Sequence, residues 1–600
     1  MRDFWINFKK SVTLEKMIVR IIMAWLLTAV MFCLKSQYSF NTAVFAAEIN
    51  IAMYLCFVLL FLIIFCALGY LKVFSWMEAY GPMILVTLYA MITISSDSEL
   101  AYLIGVLAFL GIAVVYAVNK IKTFADIKRK GTVAVIYVLA AAFYIGVAGT
   151  TTVLRYVNYA SPAFDFGIWA QMFHNMRDGF SPVTTVERER LLSHFAVHFS
   201  PIYYIYLPIY FIFPYPATLQ VLQVLTLASG IIPVYLLCRR LGLSKSATAA
   251  FGVIFALFPV LATGCYYDLH ENCFLVPLLL WLFYFIEKDD LIGIIVMSVL
   301  TVLVKEDAPM YVACIGLYVI IGKRRYVKGA VMLLFGVAYF LTVMIFMQRF
   351  GLGVMSYRYE NYMAGDGGGL MDVIRNFISN PAYVLSECFK EKKYQFIIYM
   401  LLPLGFMPAA TKKVSKFLLL LPIIIINLAT DYEYQYSIYF QYAFGTLAIL
   451  MYLAVSNYAE LSEKARRFMC SLAICAAVIV MPVAGLSRTY YMDSYIYNKE
   501  NIKILNEVME SIPKDASVSA STFFVAHLSD REELYSYPAI HEENVAAEYL
   551  VLDLRYDGLT ASDWSFILKN GYEKVSGVDG LYALYRQKTD AQSATNSIDF

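Results

Sequence analysis

The stretch FDFGIWAQMFHNMRDG, residues 164–179, sets an aspartate, Asp165, among aromatic residues just after an apolar run. Three further groups of ionisable residues interrupt apolar sequence: His194 and His198 in SHFAVH, Asp268, His270 and Glu271 in YYDLHEN, and Lys305, Glu306 and Asp307 in VLVKEDAP. Charges beside or within apolar spans are costly unless they line a water-filled cavity or pair with one another, so each group is a candidate for function. Phe and Trp neighbours that partly desolvate Asp165 would raise its pKa, which turns a carboxylate into a usable general base. The helix-like spacing that follows also suits Asp165 as an N-cap, and the two roles are compatible. On a helix, His194 and His198 would share one face, a spacing that suits a divalent metal or a phosphate, although the glutamate of HExxH is missing. Lys305 is placed to neutralise Glu306 or Asp307, or to tie two helix ends in a salt bridge. Arg155, Arg177, Arg188, Arg190, Arg349 and Arg358 offer phosphate contacts, and Trp169 and Gln171, next to Asp165, are candidates for substrate contact.

The elements that must hold these residues are membrane spans. Of 600 residues, 60% are hydrophobic and only 15% charged, the composition of an all-α polytopic membrane protein. A hydrocarbon core about 30 Å thick needs roughly 20 apolar residues per helix. Apolar runs begin near residues 17, 51, 82, 101, 131, 217, 247, 273, 291, 308, 329, 396, 416, 438 and 468, about fifteen expected spans. The run PIYYIYLPIYFIF, 201–213, reads as an interfacial or re-entrant helix, because a span there would invert every later loop against the distribution of basic residues. Basic loops at 119–130, at Arg239 and Arg240, at GKRR, TKKVSK and EKARR set the N-terminus in the cytoplasm and the 150–200 and 349–395 loops outside the cell membrane.

Past residue 490 the composition becomes that of a soluble module. NKENIKILNEVMESI reads as helix and EYLVLDLRY and GLYALYRQ as strands, enough for a small extracytoplasmic α/β domain. The expected organisation is 1–130, additional spans; 131–490, membrane core; 491–587, α/β domain; and 588–600, a disordered tail, with a flexible GDGGG at 365–369 and an acidic SSDSE at 95–99. Most of the ten cysteines lie in apolar runs as small hydrophobes, while Cys265 and Cys273 flank a short loop across which they could pair. The basic N-terminal segment lacks a small-residue cleavage site and reads as an uncleaved first span. Walker A, GxGxxG, GxSxG and nucleic-acid modules are missing from the sequence, which argues against ATP-driven transport by this chain and against a nucleic-acid partner.

The motifs AFDFGIWAQMFHNMRDG, LLSHFAVHFSPIYYIYLPIY, LQVLQVLTLASGIIPVYLLCRRLG, YDLHEN, VKEDAPMYVACIGLY, YQYSIYF, IPKDASVSAS, HLSDREELYSYP and YLVLDLR, within 131–587, resemble a family of bacterial and archaeal membrane proteins labelled as a domain of unknown function. That family is related to GT-C glycosyltransferases, which include dolichyl-phosphate-mannose protein mannosyltransferases and aminoarabinose transferases. The resemblance implies a GT-C-like core acting in the cell envelope on a polyprenyl-phosphate-linked sugar donor, with a glycan, lipid or protein acceptor. It implies Asp165 as catalytic base, Glu306, Asp307 and His270 lining the same cavity, and a C-terminal domain that helps select the acceptor. The first four spans lie outside it. Two other classes compete: a transporter or lipid-carrier flippase whose intramembrane charges form a pathway, and a membrane-anchored receptor or scaffold, for which fifteen spans are excessive.

Overall fold

The structure, a computed structural model, describes residues 12–35, 43–70, 76–96, 100–121, 127–353, 356–363, 369–485 and 488–588. The expected disordered tail apart from Lys588, SSDSE apart from its first two residues, GDGGG apart from Gly369, the first eleven residues and Lys122 lie outside the described residues. Among the described residues nine helices are long and apolar enough to cross a membrane, and shorter apolar helical segments include Leu291–Val302, Pro309–Ile321 and Val414–Leu428. The chain is a multi-pass membrane protein with a small C-terminal sheet. The segment 201–213 forms a 3-10 turn, Pro201–Ile205, and a six-residue helix, Leu207–Ile212, too short to cross.

The helix Thr132–Val157 has 26 residues and extends about 39 Å, enough to span the hydrocarbon. It starts beside Arg129 and Lys130 and ends at the site, with Arg155 in its last turn. Pro309–Ile321 and Tyr326–Phe350 form a tight hairpin because glycines face each other. A Cβ on Gly329 would stand 2.6 Å from the Gly316 carbonyl oxygen, and one on Gly336 would stand 2.8 Å from the Ala313 nitrogen. Small residues at such crossings let helix backbones approach where no hydrophobic effect drives association.

The N-terminal helices Leu14–Lys35, Ile51–Tyr70 and Met77–Ser96 share a separate core that includes Met23, Ala24 and Phe65. Arg20, fully buried, pairs there with Glu78. Cys265 and Cys273 do not pair across their loop and are both buried free thiols: Cys265 accepts from the Gln223 amide, and Cys273 meets the Tyr206 hydroxyl.

Two short strands, β1 (Val183–Thr184) and β2 (Leu192–Ser193), pair antiparallel in the loop before His194. The C-terminal sheet holds β3 (Val518–Ser521), β4 (Leu534–Tyr537), β5 (Tyr549–Asp553), β6 (Tyr572–Val578) and β7 (Tyr582–Gln587) in the order β4-β3-β5-β7-β6. β3 runs parallel to β4 and β5, and β7 antiparallel to β5 and β6. This sheet domain grips the stretch around Asp165. Arg555 donates to the carbonyls of Asn158 and Tyr159, His527 stacks 3.6 Å from the Tyr159 ring, and Thr522 accepts from the Ala163 backbone.

Candidate functional site

Asp165 does not cap the helix that follows it. The helix Ile168–Asn175 begins behind Gly167 without a side-chain cap, and Asp165 stands in a π-turn, residues 163–167, with φ 72° and ψ −81°. A non-glycine residue in that region costs of order 1–3 kcal/mol and persists only when its surroundings hold it. Here the carboxylate is held from the loop after residue 265. Tyr267 donates its hydroxyl to Asp165 Oδ2 at 2.6 Å, and His270 Nε2 lies 3.4 Å from the same oxygen. The Asp165 side chain keeps 16% exposure, so the turn offers a fixed carboxylate to solvent.

From Asp165 a chain of charges runs inward. His270 Nδ1 lies 3.4 Å from Glu271 Oε2, and Glu271 Oε1 lies 2.6 Å from Lys305 Nζ. Tyr203 donates to Glu271 Oε2 at 2.6 Å, and the Gln441 amide meets His270 Nε2 at 3.1 Å. Glu271 and Lys305 are almost wholly buried. Each charge therefore survives only through its partner, because desolvating an unpaired ion costs several kcal/mol.

The protonation states follow from this order. Burial pushes Asp165 upward, but the His270 charge and the bonds from His270 and Tyr267 outweigh it and hold the carboxyl below its ordinary value. The sequence-based expectation of a raised pKa thus fails, because the charge and hydrogen bond of His270, with the Tyr267 phenol, outweigh desolvation by the surrounding rings. For His270 burial works downward, yet Asp165 and Glu271 on either side raise it to about 9. Burial likewise pushes Glu271 up, and Lys305 and His270 hold it well below the carboxylate range.

Lys305 makes its ion pair across to Glu271, while its charge still lowers both Glu306 and Asp307. Glu306 instead accepts from His198 Nδ1 at 2.8 Å and from the Phe199 amide at 3.2 Å. Burial raises both acids of the pair, but His198 and Lys305 bring Glu306 down to about 2, whereas Glu306 adds to the burial of Asp307 and lifts it to about 6. Adjacent carboxyls are thereby driven apart, one ionised and one ready to share a proton near neutrality.

Glu306, Asp307 and Arg358 stand at the polar end of a cavity of about 370 Å³ whose other walls are largely apolar, among them Met310, Phe340, Met344, Phe377 and Ile425. The Arg358 guanidinium lies 4.8 Å over the Tyr432 ring and 5.4 Å over the Tyr442 ring. Lys305 Nζ lies 5.8 Å over the same Tyr442 ring, which ties the cavity head to the Asp165 chain.

The remaining expected residues take other places. His194 and His198 do not ride one helix: only His194–Ala196 form a 3-10 turn. Their rings are 5.8 Å apart, but His194 Nδ1 is bound to Glu187 at 2.9 Å and His198 to Glu306. Among the described residues no group of three or more His, Cys, Asp or Glu is arranged to hold a metal ion. Trp169 is buried, edge-on to His194 at 4.4 Å and to His270 at 5.6 Å, and packs the site from beneath. Gln171 is buried and structural, donating to the carbonyl of Glu532 and accepting from Thr184 and Thr185. Asp268 is closed off with Arg155, at 3.1 Å, and with Ser161 and Gln220. Arg190 pairs with Glu542. Sequence reasoning missed Tyr203, Tyr267, Gln441, Tyr442 and Glu187; the signal for Tyr267 was its place as first residue of YDLHEN, and for Gln441 its place directly after YQYSIYF.

Residues 155–570 match the model of a family described as "Predicted membrane protein (DUF2079)". No curated protein matches the chain. Among solved structures, ArnT from Cupriavidus metallidurans bound to undecaprenyl phosphate aligns at 11% identity over 77% of this chain and 99% of its own, with a TM-score of 0.49. The apo state of the same protein aligns at 11% identity over 76% of this chain and 98% of its own, with a TM-score of 0.46.

Proposed function

The chain belongs to the DUF2079 family of predicted membrane proteins, and we propose that it transfers a glycosyl group from a polyprenyl-phosphate carrier to an acceptor hydroxyl on the extracytoplasmic face. One observation carries the reading. The chain Asp165–His270–Glu271–Lys305 leads from a partly exposed carboxylate to the head of an apolar cavity, where Glu306, Asp307 and Arg358 sit.

In this reading the isoprenoid lies along the apolar wall and Arg358 faces its phosphate, the strong charge-assisted pairing for which arginine is suited. Asp307, carrying a proton part of the time, donates to a phosphate oxygen instead of repelling it. The acceptor oxygen forms a bond to the anomeric carbon as the bond from that carbon to the phosphate oxygen breaks, and the electron pair leaves with the phosphate. The acceptor proton passes to Asp165. The products are a glycosylated acceptor and the polyprenyl phosphate. A carboxylate held low by His270 and Tyr267 is a weak base but an always ionised one, and the acceptor hydroxyl becomes acidic as its new bond forms. Asp165 and Glu271 keep His270 charged, Lys305 balances Glu271, and His270 keeps Asp165 oriented.

The orientation rests on charge. Arg129, Lys130, Arg239 and Lys245 line one small cavity beside the start of the helix Thr132–Val157, and Asp165 follows its other end, in keeping with basic residues on the cytoplasmic face. The test is incubation of the purified protein in lipid nanodiscs with labelled polyprenyl-phosphate sugars. The wild type is expected to bind a donor and release polyprenyl phosphate, and Asp165→Asn to bind but release about 10²–10⁴-fold more slowly. Failure to bind any such donor overturns the reading.

A further inference from the structure

A second cavity lies on the other side of the loop 432–442 and takes no part in the chemistry above. Its volume is about 310 Å³, and six aromatic rings wall it: Phe396, Tyr399, Tyr434, Tyr436, Tyr439 and Phe440. They come from the helix Glu391–Leu401 and from the irregular segment before the helix Phe444–Tyr458. Phe440 joins this cleft to the transfer site, since its ring stands 4.6 Å from the ring of Tyr267, the phenol that holds Asp165.

The walls specify the ligand chemistry. Tyrosine presents an apolar face and a hydroxyl at its edge, so a cleft of tyrosines matches a molecule that is apolar on its ring faces and hydroxylated around its rim. The polar rim continues this pattern: Lys392 and Glu433 form an ion pair at 2.5 Å at the mouth of the cleft, offering both a donor and an acceptor to hydroxyl groups. An alkyl chain would bury these phenols without partners, which is costly, whereas the cavity beside Arg358 has aliphatic walls that suit it.

We propose that this aromatic cleft is the acceptor subsite and that the acceptor is a carbohydrate. A pyranose ring stacks on Tyr434 and Tyr436, and its attacking hydroxyl reaches past Phe440 toward Asp165. The two cavities then divide the substrates, lipid donor on one side of the loop 432–442 and sugar acceptor on the other. This assignment rests on the transfer reading, but its test is separate from it.

The experiment is saturation-transfer NMR on the full-length protein in nanodiscs with maltotriose, chitotriose and mannotriose as probes, alongside binding of a labelled polyprenyl phosphate. The wild type is expected to transfer saturation to the ring protons of at least one trisaccharide. The double variant Tyr434→Ala/Tyr436→Ala should weaken that binding at least about fivefold with polyprenyl phosphate binding unchanged, and Tyr434→Phe, which keeps the ring, should retain most of it. Absence of transfer to every trisaccharide, or binding unaltered in the double variant, overturns the proposal. Trisaccharide binding without polyprenyl phosphate binding would keep the cleft as a carbohydrate site and overturn the transfer reading instead.

Discussion

Asp268 and His270 stand two residues apart in one loop, yet the charge clusters they join differ in kind. Asp268 belongs to a closed clamp with Arg155, Ser161 and Gln220, and Arg155 spends its remaining donors on the carbonyls of Ala160, Tyr266 and Tyr267. His270 belongs to an open chain that ends in a strained and partly exposed Asp165. The same residue types therefore serve two ends. A buried charge whose partners are all internal fixes a loop, and one whose chain ends in a cleft has capacity left for a ligand.

The largest effect expected from breaking this contrast is structural. Asp268→Ala leaves Arg155 buried without its carboxylate, and removal of one partner of such a pair costs about 3–5 kcal/mol; thermal unfolding in nanodiscs should show a large fall in midpoint. Arg358→Ala should leave the fold in place and weaken polyprenyl phosphate binding by about ten- to hundredfold, the scale of hydrogen bonds to a charged group, read by titration with labelled lipid. The smallest effect is a limb of the pH profile. His270 sits at about 9 in the folded protein, above the ordinary value of about 6.5. Its ion pairs thus contribute fully below the ordinary value and are lost as pH rises through about 9. Turnover should fall across that range, and His270→Gln should remove the limb from the rate profile.

The polar clusters themselves were legible, because Asp165, His270, Glu271, Lys305 and Glu306 are conspicuous against apolar sequence. Their pairing was not. Lys305 neighbours two acids in the chain, but the turn after Leu291–Val302 directs it to Glu271, a choice set by helix packing that no local pattern records. The direction of the Asp165 shift was missed for a similar reason, since Tyr267 and His270 reach it from across a hundred residues. The spans were legible where a helix is long and regular, as in Thr132–Val157 and Tyr326–Phe350. They were blurred at 402–428, where 3-10 and π turns replace regular helix and hydropathy alone reports only apolarity.

The most direct test of the contrast between open chain and closed clamp is turnover per folded molecule with a labelled polyprenyl-phosphate sugar, measured for wild type, Asp165→Asn and Asp268→Asn in matched preparations. The account predicts that Asp165→Asn folds and binds donor while its turnover falls about 10²–10⁴-fold. Asp268→Asn should lose folded yield and keep the turnover of each molecule that folds. An Asp165→Asn protein that turns over donor at the wild-type rate would contradict it.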